Sequence, residues 1–175
     1  SNGTPNRAFF NYQVNFASTS VTLDVDEGNT VVGNATATSQ YGKTLQYSKG
    51  GADTNAFNIN TSTGALTFGT PPDYETKNTY AVTVTASDNT NSTTQDITVN
   101  VANVAPTFTS PATFTPNEGQ TAVGTVQATD TQGGTITYSV TGGADQNDFN
   151  INTSTGALTF KTAPDYETKN TYTVT

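Results

Sequence analysis

The sequence contains no cysteine, methionine, tryptophan or histidine. Without cysteine there is no disulfide staple, no thiolate nucleophile and no thiolate-held metal. Without histidine the commonest general base and zinc ligand is missing. Basic residues are scarce, 6 against 14 acidic ones, for a formal charge of −8. Phosphate backbones need a basic stripe, so nucleic acid is excluded as a partner. An anionic membrane surface is disfavoured for the same reason, whereas a divalent cation is permitted. No run of about 20 apolar residues marks a membrane-spanning helix, and no signal-peptide pattern opens the chain. The expectation is a mature secreted form or a piece of something longer. Apolar residues make up only 32% of the 175 positions. That is low for a compact enzyme and suits thin all-β domains, whose small cores leave much polar surface exposed.

The strongest positive signal is an internal repeat. Residues 58–68 read NINTSTGALTF, and residues 150–160 read the same; residues 73–80 and 165–172 both read DYETKNTY. Both pairs are 92 residues apart, whereas Tyr47 and Tyr138, and Glu27 and Glu118, are 91 apart. One inserted residue, in YSVTGG against YSKGG, accounts for the difference. A period near 90 is right for a whole β-sandwich domain and too long for a solenoid unit. Within a repeat, apolar residues alternate with polar ones: Val21, Leu23 and Val25; Leu45 and Tyr47; Phe57 and Ile59; Leu66 and Phe68; Tyr80, Val82 and Val84; Ile97, Val99 and Val101. Period two puts each set on one face of a half-buried strand. Turns rich in Gly, Asn and Thr separate the sets, as at residues 60–64. About seven strands per repeat are expected. The boundaries read as a short extension at 1–19, a first repeat at 20–104 and a second at 105–175, joined at Ala105-Pro106.

Several of these residues carry a family resemblance. Phe57-Asn-Ile59, then Thr63-Gly64-Ala-Leu66, then Asp73-Tyr-Glu75 resembles the cadherin pattern F-x-I…TG-x-L…DYE. Residues 82–88 (VTVTASD) resemble the cadherin strand ending in A-x-D. Asn103-Val-Ala-Pro106 with Phe108 resembles the linker between cadherin repeats, and Asn117-Glu118-Gly119 and Ala128-Thr-Asp130 resemble the acidic positions of the next repeat. The chain from about residue 21 onward is thus similar to the cadherin-like repeats of prokaryotic extracellular adhesins and filament proteins. Gly69-Thr-Pro71 suggests a second family, an immunoglobulin-like domain of bacterial surface proteins. Both imply the same fold class, all-β, with two tandem Greek-key immunoglobulin-like sandwiches.

The cadherin resemblance implies calcium between successive repeats, a hard cation wanting six to eight oxygens. Carried over position by position, Glu27, Asp73 and Glu75 match in the first repeat and Asp130 in the second, with Asn103 in the linker. The sequence departs from the pattern elsewhere. Gln132 stands where a second Asp belongs, and Asn100, Ala102, Asn103 and Val104 replace the acidic linker. A weak or degenerate site is the expectation, set against a cluster of surface carboxylates holding no ion. Ser39 replaces the counterpart of Asp130 in the first repeat, so no site is expected at that end. Glu118, Asp165 and Glu167 repeat the set in the second.

The second repeat reaches only the counterpart of Thr83, so its last strand is missing from these residues. An open edge and a groove in the core are expected. Residues 8–16 carry Phe10, Tyr12, Val14 and Phe16 in alternation with polar residues. One reading makes them a donor strand that fills the groove of a neighbouring copy, building head-to-tail filaments. The other makes them the last strand of a preceding domain in a longer adhesin.

No enzyme is expected, since the carboxylates at 73 and 75 recur once per repeat, as structural groups do. The function read from the sequence is structural and adhesive: an extracellular spacer or subunit of a surface adhesin, matrix fibre or filament, secreted or held at the cell surface. Its partners would be adjacent repeats or copies of itself. The alternative is a carbohydrate-binding module, with Tyr41, Tyr74 and Tyr166 as the candidate aromatic platform for glycans. Asn34, Asn60, Asn91 and Asn152 open N-x-S/T sequons, at a frequency that composition alone gives.

Overall fold

The computed structural model describes residues 13–175. Phe10 and Tyr12 of the expected donor strand lie outside the described residues. The chain divides into two compact units, Ser1–Asn103 and Val104–Thr175.

Unit 1 is a β-sandwich. One sheet has the order β2-β9-β8-β5, formed by Ser20–Asp26, Ser92–Ala102, Thr79–Ser87 and Gln46–Gly50. The facing sheet has the order β3-β7-β6, formed by Val31–Asn34, Ala65–Phe68 and Phe57–Ile59. A further pair joins β1, Val14–Phe16, to β4, Ala37–Ser39. The alternation expected from the sequence appears as alternating burial. Along β9, Gln95, Ile97, Val99 and Val101 are buried and the residues between them are not. Fourteen buried apolar residues form the core, with Val84 and Val99 fully shielded. At its centre Phe57 stacks on Phe68 at 4.6 Å, and Tyr80 meets both rings edge-on. Such contacts add to the area the rings bury.

The repeated turn at residues 60–64 is built from its own side chains. Asn60 Oδ1 accepts hydrogen bonds from the N–H groups of Ser62 and Thr63, the Asx-type closure that favours Asn here. Gly64 ends the turn at φ +74°, and a Cβ there would lie 2.3 Å from the Ala35 carbonyl oxygen. Only glycine fits. The counterpart Gly156, at φ +70°, faces the Val126 carbonyl in the same way.

Unit 2 repeats one sheet and lacks the ladder of the other. Its three-stranded sheet has the order β11-β14-β13, formed by Ala122–Thr125, Ala157–Phe160 and Phe149–Ile151. β10, Thr107–Phe108, pairs with β12, Ala128–Thr129. Among the described residues nothing in unit 2 corresponds to β9, and the counterparts of β2, β5 and β8 form no strands. The consequence is a thin core. Only Phe149, Leu158 and Phe160 are buried, and Tyr138, Val140, Tyr172 and Val174 stay part-exposed.

Two features depart from the expected layout. The strand of β3 and β4 between Val31 and Ser39 did not stand out in the sequence, because its buried residues are the small Ala35 and Ala37. The described part of the expected N-terminal extension, β1, pairs with β4 of unit 1, and Val14 sits in that unit's core. It matches Phe108 in unit 2, which opens that unit on β12 as Phe16 opens unit 1 on β4.

Replacing Ile97 with Ala should cost about 2–4 kcal/mol. In urea unfolding followed by circular dichroism, the loss should appear in one of two transitions, with the weaker transition of unit 2 unmoved. A single transition displaced as a whole would show that the units do not unfold independently.

Candidate metal centre

Three carboxylates meet at one end of unit 1. Glu27 directly follows β2, and its N–H bonds the carbonyl of Ala102, the last residue of β9, at 3.0 Å. Its side chain is drawn inward, leaving the residue 3% exposed, and Glu27 Oε2 accepts the Tyr74 N–H at 3.2 Å. Asp73 opens the tight turn of DYETK. Its Oδ1 accepts the N–H groups of Glu75 and Thr76, and its Oδ2 accepts the Thr76 hydroxyl at 2.7 Å. Glu75 Oε1 accepts the Asn103 side-chain amide at 3.1 Å. Oxygens of Glu27, Asp73 and Glu75 all lie within 4.8 Å of one another.

Clustered carboxylate oxygens suit a hard divalent cation. Three carboxylates are few for an ion that takes six to eight oxygens, and several of these oxygens already accept hydrogen bonds. The set fits calcium in kind and falls short in number. Of the sequence-derived site residues, the fold brings together Glu27, Asp73, Glu75 and Asn103. Asp130 belongs to unit 2, where its Oδ1 accepts the N–H groups of Gln132 and Gly134 and closes a turn.

Unit 2 carries the same triad, Glu118, Asp165 and Glu167, with all three residues exposed. Asp165 is held as Asp73 is, by the Glu167 N–H and the Thr168 hydroxyl. The difference lies in the first glutamate. In unit 1 the end of β9 lies against Glu27, whereas among the described residues unit 2 has no such strand.

A second acidic device was not picked out from the sequence. Asp53 Oδ1 pairs with Lys77 Nζ at 2.5 Å, and its Oδ2 accepts the Ala81 N–H at 2.8 Å. Lys77 also lies 4.9 Å from the centre of the Tyr80 ring. Unit 2 repeats the clip with Asp145, Lys169, Thr173 and Tyr172. The signal was the Gly-Gly-Ala-Asp shared by residues 50–53 and 142–145. The clip ties the short 3₁₀ turn Thr54–Ala56 to β8. The sequons fall on turns and strand ends. Asn34 ends β3, Asn60 and Asn152 close the repeated turns, and Asn91 lies in the β8–β9 turn. Of the tyrosines considered for glycans, Tyr41 and Tyr166 are exposed in separate units, and Tyr74 packs on the unit 1 core.

The cadherin domain family model matches residues 21–102 and 111–175. The chain belongs to the cadherin domain family, whose repeats are extracellular adhesive and structural modules. No curated protein matches it. Among solved structures it is similar to mouse Cadherin-23 EC22-24, at 24% identity and a TM-score of 0.48, covering 90% of this chain and 56% of that one. It is similar to human Protocadherin-24 EC1-2, at 23% identity and a TM-score of 0.49, covering 92% and 91%. It is also similar to the human Desmocollin-1 ectodomain, at 21% identity and a TM-score of 0.50, covering 91% and 35%. The chain thus spans about half the length of the cadherin-23 fragment. Among the described residues no helix is long and apolar enough to cross a membrane.

The acidic groups set a pH response. Asp53 and Asp145 are held below the usual carboxylate range, first by their lysine partners. Asp73 and Asp165 are lowered chiefly by the Thr76 and Thr168 hydroxyls, and Asp88 by the Asn91 and Thr90 N–H groups. A carboxyl depressed in the folded state stabilises it above the unfolded value, about pH 4, and loses that contribution as pH falls through the lower folded value. The melting temperature should therefore hold steady from about pH 8 to 5 and drop below about pH 4. Thermal melts at steps of pH check this, and a maximum near pH 3 would contradict it.

Proposed function

We propose that the chain is a load-bearing spacer in an extracellular adhesive or filamentous protein, secreted or displayed at a cell surface. Its partners on this reading are adjacent repeats or neighbouring copies of itself, and its role is mechanical. The observation that carries the reading is the parallel pairing of β2 with β9 over seven residues, from Ser20–Asp96 to Asp26–Ala102. A pull along the chain enters unit 1 through β1, which pairs with β4, reaches β2 next and leaves at β9. Parallel strands loaded from opposite ends are sheared along their length, so the whole ladder resists together.

The carboxylates Glu27, Asp73 and Glu75 stand where β2 and β9 end, and we assign them a calcium-dependent stiffening of that end. When bound, the cation would replace mutual repulsion with shared coordination. Donation of the N-terminal strand to a neighbour is the second reading, resting on the alternation of Phe10, Tyr12, Val14 and Phe16 with polar residues. It requires β1 to leave β4 and Val14 to leave the core of unit 1.

Single-molecule stretching should show a lower unfolding force for unit 1 in Thr98→Pro, which removes an N–H from the middle of β9. An unchanged force would sink the shear-bearing role. Separately, calorimetric titration should detect calcium in unit 1 with a dissociation constant on the order of 10⁻³ M, weakened at least tenfold by Glu27→Gln. Heats that Glu27→Gln leaves unaltered would remove calcium from the reading without touching the spacer role.

A further inference from the structure

In unit 1, β2 is the outer strand of its sheet, with β9 on one side and no strand on the other. Its residues turn alternately to the two sides. The Glu27 N–H bonds the Ala102 carbonyl, and the Thr19 carbonyl accepts the Asp96 N–H, so the odd-numbered residues of this stretch face β9. Thr22 and Asp24 therefore point their N–H and C=O groups outward, where among the described residues they have no backbone partner. Such an edge is a template for one more strand.

Side chains on both faces of the edge define what fits there. On the inward face Val21 and Leu23 are only part-buried. Gly33 of β3 lies beside them, since a Cβ there would be 3.4 Å from Leu23 Cδ1. β3 is itself the outer strand of the facing sheet, and its Val31 is 63% exposed. The sandwich is open along this side, with apolar side chains at its mouth. On the outward face Asp24 and Asp26 of β2 and Asp96 of β9 are all exposed. The Asn100 amide braces Asp24 at 3.1 Å, and the Thr83 hydroxyl braces Asp96 at 2.7 Å. Neither β2 nor β9 carries a basic residue to offset them. Two β2 edges laid together would gather like charges on one face, which strand pairs resist. The charge selects a basic strand over a second copy of this acidic chain.

We propose that the outer edge of β2 is a docking site for an extended segment of another polypeptide, one that alternates basic and β-branched residues. The segment adds to the sheet as a fifth strand, antiparallel to β2, and takes its backbone bonds from Thr22 and Asp24. Its basic side chains lie opposite Asp24 and Asp26, and its apolar ones lie opposite Val21, Leu23 and Val25, towards Val31. This partner lies beyond the adjacent repeats of the spacer role, which stands whether or not the edge is occupied.

The test is titration of the whole chain with a capped peptide, KVKVTVT, whose lysines fall opposite Asp26 and Asp24. Saturable one-to-one binding is expected, with slowed amide exchange at Thr22 and Asp24. The peptide EVEVTVT should bind at least tenfold more weakly. N-methylation of the second lysine and first threonine, whose N–H groups face β2, should abolish binding, whereas N-methylation of the first two valines leaves it intact. These comparisons alter only the peptide and need no variant chain. Thr22→Pro, which removes an outward N–H and none of the bonds to β9, should block the peptide while unit 1 keeps its thermal transition. Absence of binding, equal binding of the lysine and glutamate peptides, or equal losses from the two methylation patterns would overturn the proposal. So would self-association of the chain that Thr22→Pro abolishes, since the occupant would then be a second copy.

Discussion

The backbone ladder of β9 organises everything around it. Residues 96–100 have a strand on each side, β2 in parallel and β8 antiparallel. Every buried N–H and C=O needs a partner, and a strand in the middle of a sheet supplies them for two neighbours at once. Its inward side chains then close the core against Phe57 and Leu66 of the facing sheet. The two units form a natural comparison, because their flanking sequences are nearly the same. Among the described residues, fourteen apolar side chains are buried in unit 1, where β8 and β9 are both whole, and three in unit 2. Each such side chain, fully buried, is worth about 1.5–3 kcal/mol, so the second half of β8, with Val84 and Ala86, and β9, with Ile97, Val99 and Val101, carry a large share of the unit 1 core.

The acidic end of unit 1 follows from the same strand. Asp73 and Asp165 sit in identical turns, fixed by bonds within five residues, and keep their geometry in both units. Glu27 and Glu118 differ, since the carbonyl of Ala102 holds the backbone of the first and no equivalent carbonyl among the described residues holds the second. The carboxylate triad is a local motif whose burial is set from a distant part of the chain.

Much of the fold was legible because both of its signals are local. Alternation at Ile97, Val99 and Val101 marks a strand whatever its neighbours, and the Asn-Thr-Ser-Thr-Gly turn states its own conformation. The strand around Ala35 and Ala37 was not legible, since alanine gives no contrast with its surroundings, although burial there is nearly complete. The placement of β1 was hidden for another reason. Phe10, Tyr12, Val14 and Phe16 show an amphipathic strand, but pairing is a long-range property, and Val14 meets Ser39 across 25 residues. The four unit 1 site residues could be named from the sequence because they lie in short motifs. The clip of Asp53 and Lys77 was missed because its partners are 24 residues apart and each alone reads as a surface charge.

The duplicated blocks have a bearing on how the chain reaches its fold. Tandem domains of near-identical sequence are prone to exchange segments during folding. Here the identical stretch NINTSTGALTF forms a hairpin, β6 with β7 and β13 with β14, that pairs within itself. Closure of so short a loop takes far less time than a search for the distant twin. Duplication is thus confined largely to pieces that find their partners nearest in sequence, which guards two look-alike neighbours against trading parts.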